Sequence, residues 1–218
     1  MFRPLSPVVV ALLAAAAAVS MMIAGPAAAP AVQAPPNLAP FAATPQEVVD
    51  RMLQLADVTK TDVVYDLGSG DGRLVITAAK RYGARGVGID IDPALITQSR
   101  ANARKEGVES LVEFRQQDAL TVDLSPASVV TLYLLSGANL KLRPTLQKQL
   151  KPGSRVVSHQ FGMGDWVPTR TETVTDQRGT SRLLYLWVIG PPRPRSSSTR
   201  SSRRTRSRSR RCRSVTPG

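Results

Sequence analysis

The segment Val63-Val64-Tyr65-Asp66-Leu67-Gly68-Ser69-Gly70-Asp71-Gly72-Arg73, followed by Gly86-Val87-Gly88-Ile89-Asp90, constrains this chain more than any other. An apolar run ends in an acid, passes through a glycine-rich turn and enters a helix-like segment. A second apolar run then ends in another acid. This order is the opening of a βαβ unit, two parallel strands joined through a helix. Glycines at 68, 70 and 72 free the backbone to turn sharply and to approach a ligand closely. The helix that starts after Gly72 presents free N–H groups and a positive dipole end. A unit built this way suits an adenosine-containing ligand.

Asp90, at the end of the second run, can accept hydrogen bonds from both hydroxyls of a ribose and would repel a 2′-phosphate. A third run, Leu111 to Arg115, leads into Gln116-Gln117-Asp118-Ala119. Asp66, Asp90 and Asp118 therefore fall in order at the carboxyl ends of three expected strands, the edge at which open α/β sheets bind ligands. Each acid alone would pass for a solvated strand end. A dinucleotide fingerprint needs a glycine or alanine where this chain has Arg73, which disfavours a nicotinamide oxidoreductase. A P-loop would need Gly-Lys-Ser/Thr, which is absent.

The segments Asp66-Leu67-Gly68-Ser69-Gly70-Asp71-Gly72, Gly88-Ile89-Asp90 and Gln117-Asp118-Ala119 resemble the seven-stranded, class I S-adenosylmethionine-dependent methyltransferases. With Thr44-Pro45 and Asp-Leu-Gly-Ser-Gly-Asp-Gly-Arg, the chain is similar to the small protein-lysine methyltransferases among them. Those enzymes act on the adenine nucleotide translocase and on the c subunit of ATP synthase, and they have bacterial relatives. The resemblance covers roughly residues 41–190. It implies a Rossmann-like, doubly wound α/β sheet, mostly parallel, with a C-terminal antiparallel hairpin. It also implies S-adenosyl-L-methionine as cofactor and a protein lysine as acceptor. Asp66, Gly68, Ser69, Gly70, Asp71 and Gly72 would hold the methionine end, Asp90 would take the ribose hydroxyls and Asp118 would lie by the adenine amino group, with Ile91 and Ala119 as further cofactor-binding residues.

Composition divides the chain in three. Residues 191–218 carry ten of the 29 basic residues and no acid, so the net charge of +13 belongs mostly to this tail. Arg and Ser alternate there with almost nothing apolar, which predicts disorder. Nucleic acid or anionic lipid would be bound, if at all, through this tail alone. Residues 1–40 hold an apolar run over 8–24 and an Ala/Pro-rich stretch. They read as a secretory signal, a membrane anchor through 8–24, or a start codon placed too early. Export or anchoring conflicts with the cytosolic supply of S-adenosylmethionine, and the conflict stands at this point. One cysteine, Cys212, and one histidine, His159, exclude an intrachain disulfide and a multi-histidine or multi-cysteine metal site.

Along 41–190, Thr44-Pro45-Gln46-Glu47 has the pattern of a capping box, and the helix behind it is expected to lie across the open edge of the cofactor site as a lid or side wall. Strands are expected at 62–67, 85–90, 111–116, 129–134 and 154–159, with helices at 73–82, 93–106 and 139–150. Pro144 should kink the last of these or split off its first turn. Runs at 166–174 and 182–189 flank the turn Asp176-Gln177-Arg178-Gly179 and predict a hairpin.

Methyl transfer from a sulfonium is an in-line displacement that needs alignment and exclusion of water more than a strong base. In the superfamily this chain resembles, the acceptor side lies near the end of the fourth strand. Methyltransferases of nucleobase amino groups often carry Asn/Asp-Pro-Pro-Tyr/Phe there, whereas this chain has Thr131-Leu132-Tyr133-Leu134. Tyr133 is the candidate catalytic residue, lining the acceptor channel; otherwise it is a core aromatic. Asn139 is expected to cap the following helix. His159 is a proton acceptor or a structural hydrogen-bonding group, and Trp166 a substrate wall or a core residue. A competing reading is a non-catalytic binding protein on the same fold.

Overall fold

The computed structural model describes residues 42–190; the expectations for 1–40 and for 191–218 lie outside the described residues. Helix α1 (Gln46–Leu55) precedes strand β1 (Val63–Leu67), helix α2 (Arg73–Tyr82), strand β2 (Arg85–Asp90), helix α3 (Pro93–Lys105) and strand β3 (Val112–Gln116). A 3₁₀ turn (Ala119–Thr121), strand β4 (Val129–Leu132), helix α4 (Ser136–Gln149), strand β5 (Arg155–His159) and the hairpin β6 (Arg170–Thr175) and β7 (Ser181–Val188) complete it. One seven-stranded sheet runs β3-β2-β1-β4-β5-β7-β6. The first five strands are parallel, and β7 pairs antiparallel with both β5 and β6. The doubly wound α/β fold with its C-terminal hairpin is therefore present. Among the described residues no helix is long and apolar enough to cross a membrane.

Strand alternation sends side chains to two separate cores. Val64, Val129 and Val157 pack with Val48, Met52 and Leu53 of α1 and with Leu74 and Val75 of α2. Tyr65, Leu67, Val130, Leu132 and Val156 pack with Leu142 and Leu146 of α4 and with Trp187. Asp66 and Thr131 follow the parity of Val64 and Val129, and His159 that of Val157. All three thus face the α1 side, at the carboxyl end of the sheet.

Local signals behave as expected where a few neighbouring residues decide. Asp92 caps α3 by accepting from Ala94 N, with Pro93 in the first turn. Gly83 and Gly107 end α2 and α3 with φ of 69° and 67°. Asp176 accepts from the backbone N–H groups of Arg178 and Thr180 and so builds the hairpin turn.

Four expectations are corrected. Thr44 does not cap α1: Pro45 occupies the N-cap position with no side-chain cap, and Glu47 accepts instead from Gln177 N. Nor is α1 a lid, because Val48, Val49, Met52 and Leu53 are wholly buried in the core with strand residues such as Val64, Val129 and Val157. Strand β4 stops at Leu132 and α4 begins at Ser136, because Ala138 N and Asn139 N both donate to Leu135 O and close the first turn early. Pro144 consequently sits inside one continuous helix rather than splitting it. Asn139 is not a cap. It is fully buried within α4 and donates from Nδ2 to Ser158 Oγ (3.2 Å) and Phe161 O (3.0 Å).

Candidate functional site

Gly68, Gly70 and Gly72 all have positive φ (82°, 54° and 81°), a region that costs a side-chain-bearing residue energy. The turn they form is stitched to β2. Gly68 N and Ser69 N both donate to Ile89 O, at 2.8 and 2.9 Å, and Gly70 N donates to Asp90 Oδ2 at 2.8 Å. Two glycines also make room for protein rather than ligand. A Cβ at Gly72 would stand 2.7 Å from the Phe114 ring, and one at Gly88 only 2.5 Å from it. Phe114, on β3, therefore locks the turn against β2, a packing reason for glycine that the motif alone does not reveal.

The acids gather at the carboxyl edge as the sequence predicts. Asp66 is buried and accepts from Thr131 Oγ1 at 2.7 Å. Burial pushes its carboxyl up to about 7. The Thr131 hydrogen bond pulls the other way, while the charges of Asp90 and Asp71 add to the rise. Asp90 is half-buried and accepts one backbone N–H at each oxygen, Gly70 N at Oδ2 and Asp92 N at Oδ1 (3.0 Å). Each carboxylate oxygen keeps a further lone pair, so two ribose hydroxyls can still be received. Asp90 also pairs in register with Gln116, which sets Ile91 and Asp118 at neighbouring strand ends. Asp118 is half-buried and accepts from Leu120 N, capping the 3₁₀ turn that begins at the buried Ala119. Ser69 Oγ is buried with no partner among the described residues. An orphaned hydroxyl, a buried carboxyl raised to about 7 and a carboxylate with spare lone pairs fit an adenosine ligand with a charged amino-acid end.

Asp71 is gripped by its near neighbour Arg73, whose Nε and Nη2 reach both carboxylate oxygens. The remaining arm of Arg73, Nη1, donates to Thr44 O at 2.8 Å. The residue that breaks the dinucleotide pattern thus swings away from the sheet and clips the chain ahead of α1 onto the turn.

Tyr133 stands just past β4, half-buried, with its ring 3.9 Å from that of His159 and 6.4 Å from that of Phe161. His159 is wholly buried, and Thr44 Oγ1 lies 3.3 Å from its Nδ1. Burial, reinforced by the positive charge of Arg182, lowers the imidazole to about 4, so it is neutral at ordinary pH and a weak base. Trp166 packs its ring 5.5 Å from that of Trp187 beside the α4 core. Sequence reasoning missed Phe161 and the hydroxyl of Thr44. The first is set by Gln160, which adopts φ 69° just past β5, and by the Asn139 and Ser158 hydrogen bonds to Phe161 O. No short motif announces either.

Comparison with known proteins supplies the family. The family described as ANTKMT methyltransferase domain matches residues 66–170. A protein-lysine N-methyltransferase of Saccharolobus islandicus is 44% identical over 152 residues, 69% of this chain and 94% of that protein. A Xenopus laevis lysine N-methyltransferase of the ATP synthase c subunit is 36% identical over 110 residues, 50% of this chain and 48% of that protein. Among solved structures, an RNA methyltransferase from Salinibacter ruber in complex with S-adenosyl-L-homocysteine shares 58% identity with a TM-score of 0.65. That match covers 71% of this chain and 97% of that one. A relative matched over nearly its whole length, and a site whose acids and turn fall where the motifs require, lead to one conclusion: the chain belongs to the class I S-adenosylmethionine-dependent methyltransferases, in the family of the archaeal protein-lysine N-methyltransferase.

Proposed function

We propose that this enzyme methylates lysine side chains of a protein, with Asp66 and the 68–72 turn holding the methionine end of the cofactor, Asp90 and Ile91 its ribose and Asp118 and Ala119 its adenine. The observation that carries the lysine reading is the 44% identity to the archaeal protein-lysine N-methyltransferase, over 94% of that protein. The acceptor side agrees with it. The residues after β4 are Tyr133 and Leu134, not a nucleobase-binding Asn/Asp-Pro-Pro-Tyr/Phe, and the aromatic rings of Tyr133, His159 and Phe161 gather there.

Bound S-adenosylmethionine supplies an electrophilic methyl on a sulfonium. The chain's own residues then have to align a neutral amine with it and keep water out. Tyr133, half-buried at the strand end, lines the acceptor channel with its ring and hydroxyl. His159 stays uncharged, so it adds no repulsion toward a cationic cofactor or acceptor. The ammonium proton of lysine leaves to solvent before transfer, which the apolar walls and the neighbouring sulfonium favour.

A second reading takes RNA as the acceptor. It is favoured by the 58% identity to the Salinibacter ruber protein described as an RNA methyltransferase. One experiment separates the two: the full-length chain is incubated with methyl-labelled S-adenosylmethionine and a lysate of its source cells. Label in methyl-lysine of a discrete protein, resistant to ribonuclease, supports the lysine reading. Label that ribonuclease removes supports RNA and defeats it.

A further inference from the structure

One residue ahead of α1 touches both halves of the site. Thr44 offers its carbonyl to the Arg73 guanidinium at 2.8 Å, and that guanidinium also holds Asp71 in the cofactor turn. Through its hydroxyl the same residue meets His159 Nδ1 at 3.3 Å at the end of β5. Nothing else polar among the described residues holds the imidazole: its Nε2 is buried there without a partner. The imidazole in turn carries the Tyr133 ring against its face, 3.9 Å between centroids and tilted by 30°. Thr44 is itself buried, so these contacts are shielded from competition by water. A continuous chain of contacts therefore runs from the glycine turn, through Asp71, Arg73, Thr44 and His159, to Tyr133.

We propose that Thr44 and His159 are positioning residues of the acceptor channel, fixing the Tyr133 ring relative to the cofactor turn through the Arg73–Thr44–His159 relay. Neither touches the reacting atoms. The inference rests on the reading that Tyr133 lines the acceptor channel, but not on which macromolecule supplies the acceptor. A tether of this kind acts through geometry. Misplacing a channel wall by about an ångström lowers turnover without changing how the cofactor is held. The tether also accounts for the capping-box pattern at Thr44 that the helix does not use: the hydroxyl is committed to β5.

The chain contains a single histidine, which makes the relay directly observable. Full-length protein without a polyhistidine tag, labelled with ¹⁵N at histidine, gives one imidazole spectrum. Thr44→Val keeps the shape of the side chain and removes only the hydroxyl, whereas Thr44→Ser keeps the hydroxyl. The expected result is a displaced Nδ1 resonance in T44V, a near-wild-type resonance in T44S, and a displaced one in R73Q, where the clip on Thr44 is lost. In methyl-transfer assays on whichever labelled acceptor the wild-type enzyme marks, T44V should lose about tenfold or more in kcat/KM. S-adenosylmethionine affinity by calorimetry should stay within about twofold of wild type, the precision needed to separate positioning from cofactor loss. T44S should restore most of the turnover. An unchanged imidazole spectrum in T44V, wild-type turnover in T44V, or failure of T44S to rescue would each overturn the proposal. Label on RNA instead of lysine would defeat the acceptor reading alone, since the spectrum and the variant series are read without reference to it.

Discussion

Across the β1–β4 pair, the Thr131 hydroxyl donates to the Asp66 carboxyl at 2.7 Å. That bond does not offset burial and the neighbouring charges of Asp90 and Asp71, and Asp66 is raised to about 7. A cofactor ammonium placed against it would favour the carboxylate. Binding of S-adenosylmethionine below pH 7 should therefore release a proton, and affinity should rise as pH approaches 7. Calorimetry in two buffers of different ionisation enthalpy counts the proton. Asp66→Asn should abolish the release; binding without proton release in the wild-type protein would show that Asp66 does not face the cofactor's amino group.

The same group shapes stability without cofactor. Between the ordinary carboxylate value and about 7, native Asp66 binds more protons than the unfolded chain, so its contribution falls as pH rises. His159 does the opposite. Its native value of about 4 lies below the ordinary 6.5, so over that interval the unfolded chain binds more protons and stability rises with pH. The two slopes oppose each other from about 4 to 6.5, each worth roughly 3–4 kcal/mol at most. Denaturant melts of the full-length protein should be comparatively flat over this range. In Asp66→Asn they should show stability climbing with pH, because the histidine contribution is then unopposed.

Gly88 and Gly72 both lie under Phe114, but for different reasons. Only Gly72 also has a positive φ, of 81°. Gly88→Ala should cost about 1–3 kcal/mol through overpacking. Shortening the ring in Gly88→Ala/Phe114→Leu should recover much of that loss. The same second change should recover less in Gly72→Ala, where backbone strain and the Ser99 Cβ 2.8 Å from the added methyl both persist. Thermal melts of the two double variants make the comparison, and equal rescue would mean that sterics alone fix both glycines.

Asp90 holds the turn as well as the ribose proposed for it. Asp90→Ala removes the acceptor for Gly70 N and Asp92 N together with the two ribose contacts proposed for it, each charge-assisted bond worth about 1.5–3 kcal/mol. Asp90→Asn retains the shape but turns an amide NH₂ toward one of those N–H donors. It should therefore lower the melting temperature of the cofactor-free protein as well as cofactor affinity. A variant that lost affinity with an unaltered melting temperature would show that the turn stands without its carboxylate.

The βαβ opening, the order of Asp66, Asp90 and Asp118 along the carboxyl edge, the cap at Asp92 and the hairpin around Asp176 are all legible in the linear chain. These features are local. A positive φ favours glycine at that one residue, an N-cap reaches two residues ahead, and an apolar run that ends in an acid marks its own strand end. What Thr44, Asn139, Phe114 and His159 do emerges only from the folded sheet. Thr44 meets His159 across 115 residues of chain, and Asn139 of α4 holds Phe161, which lies just past β5. Threonine before proline looks like a cap, and asparagine after a strand looks like one too, because those are the bonds available nearby. Once the sheet closes, burial removes water from these side chains. They then bond to whatever polar partner the neighbouring strand presents, which local sequence does not encode.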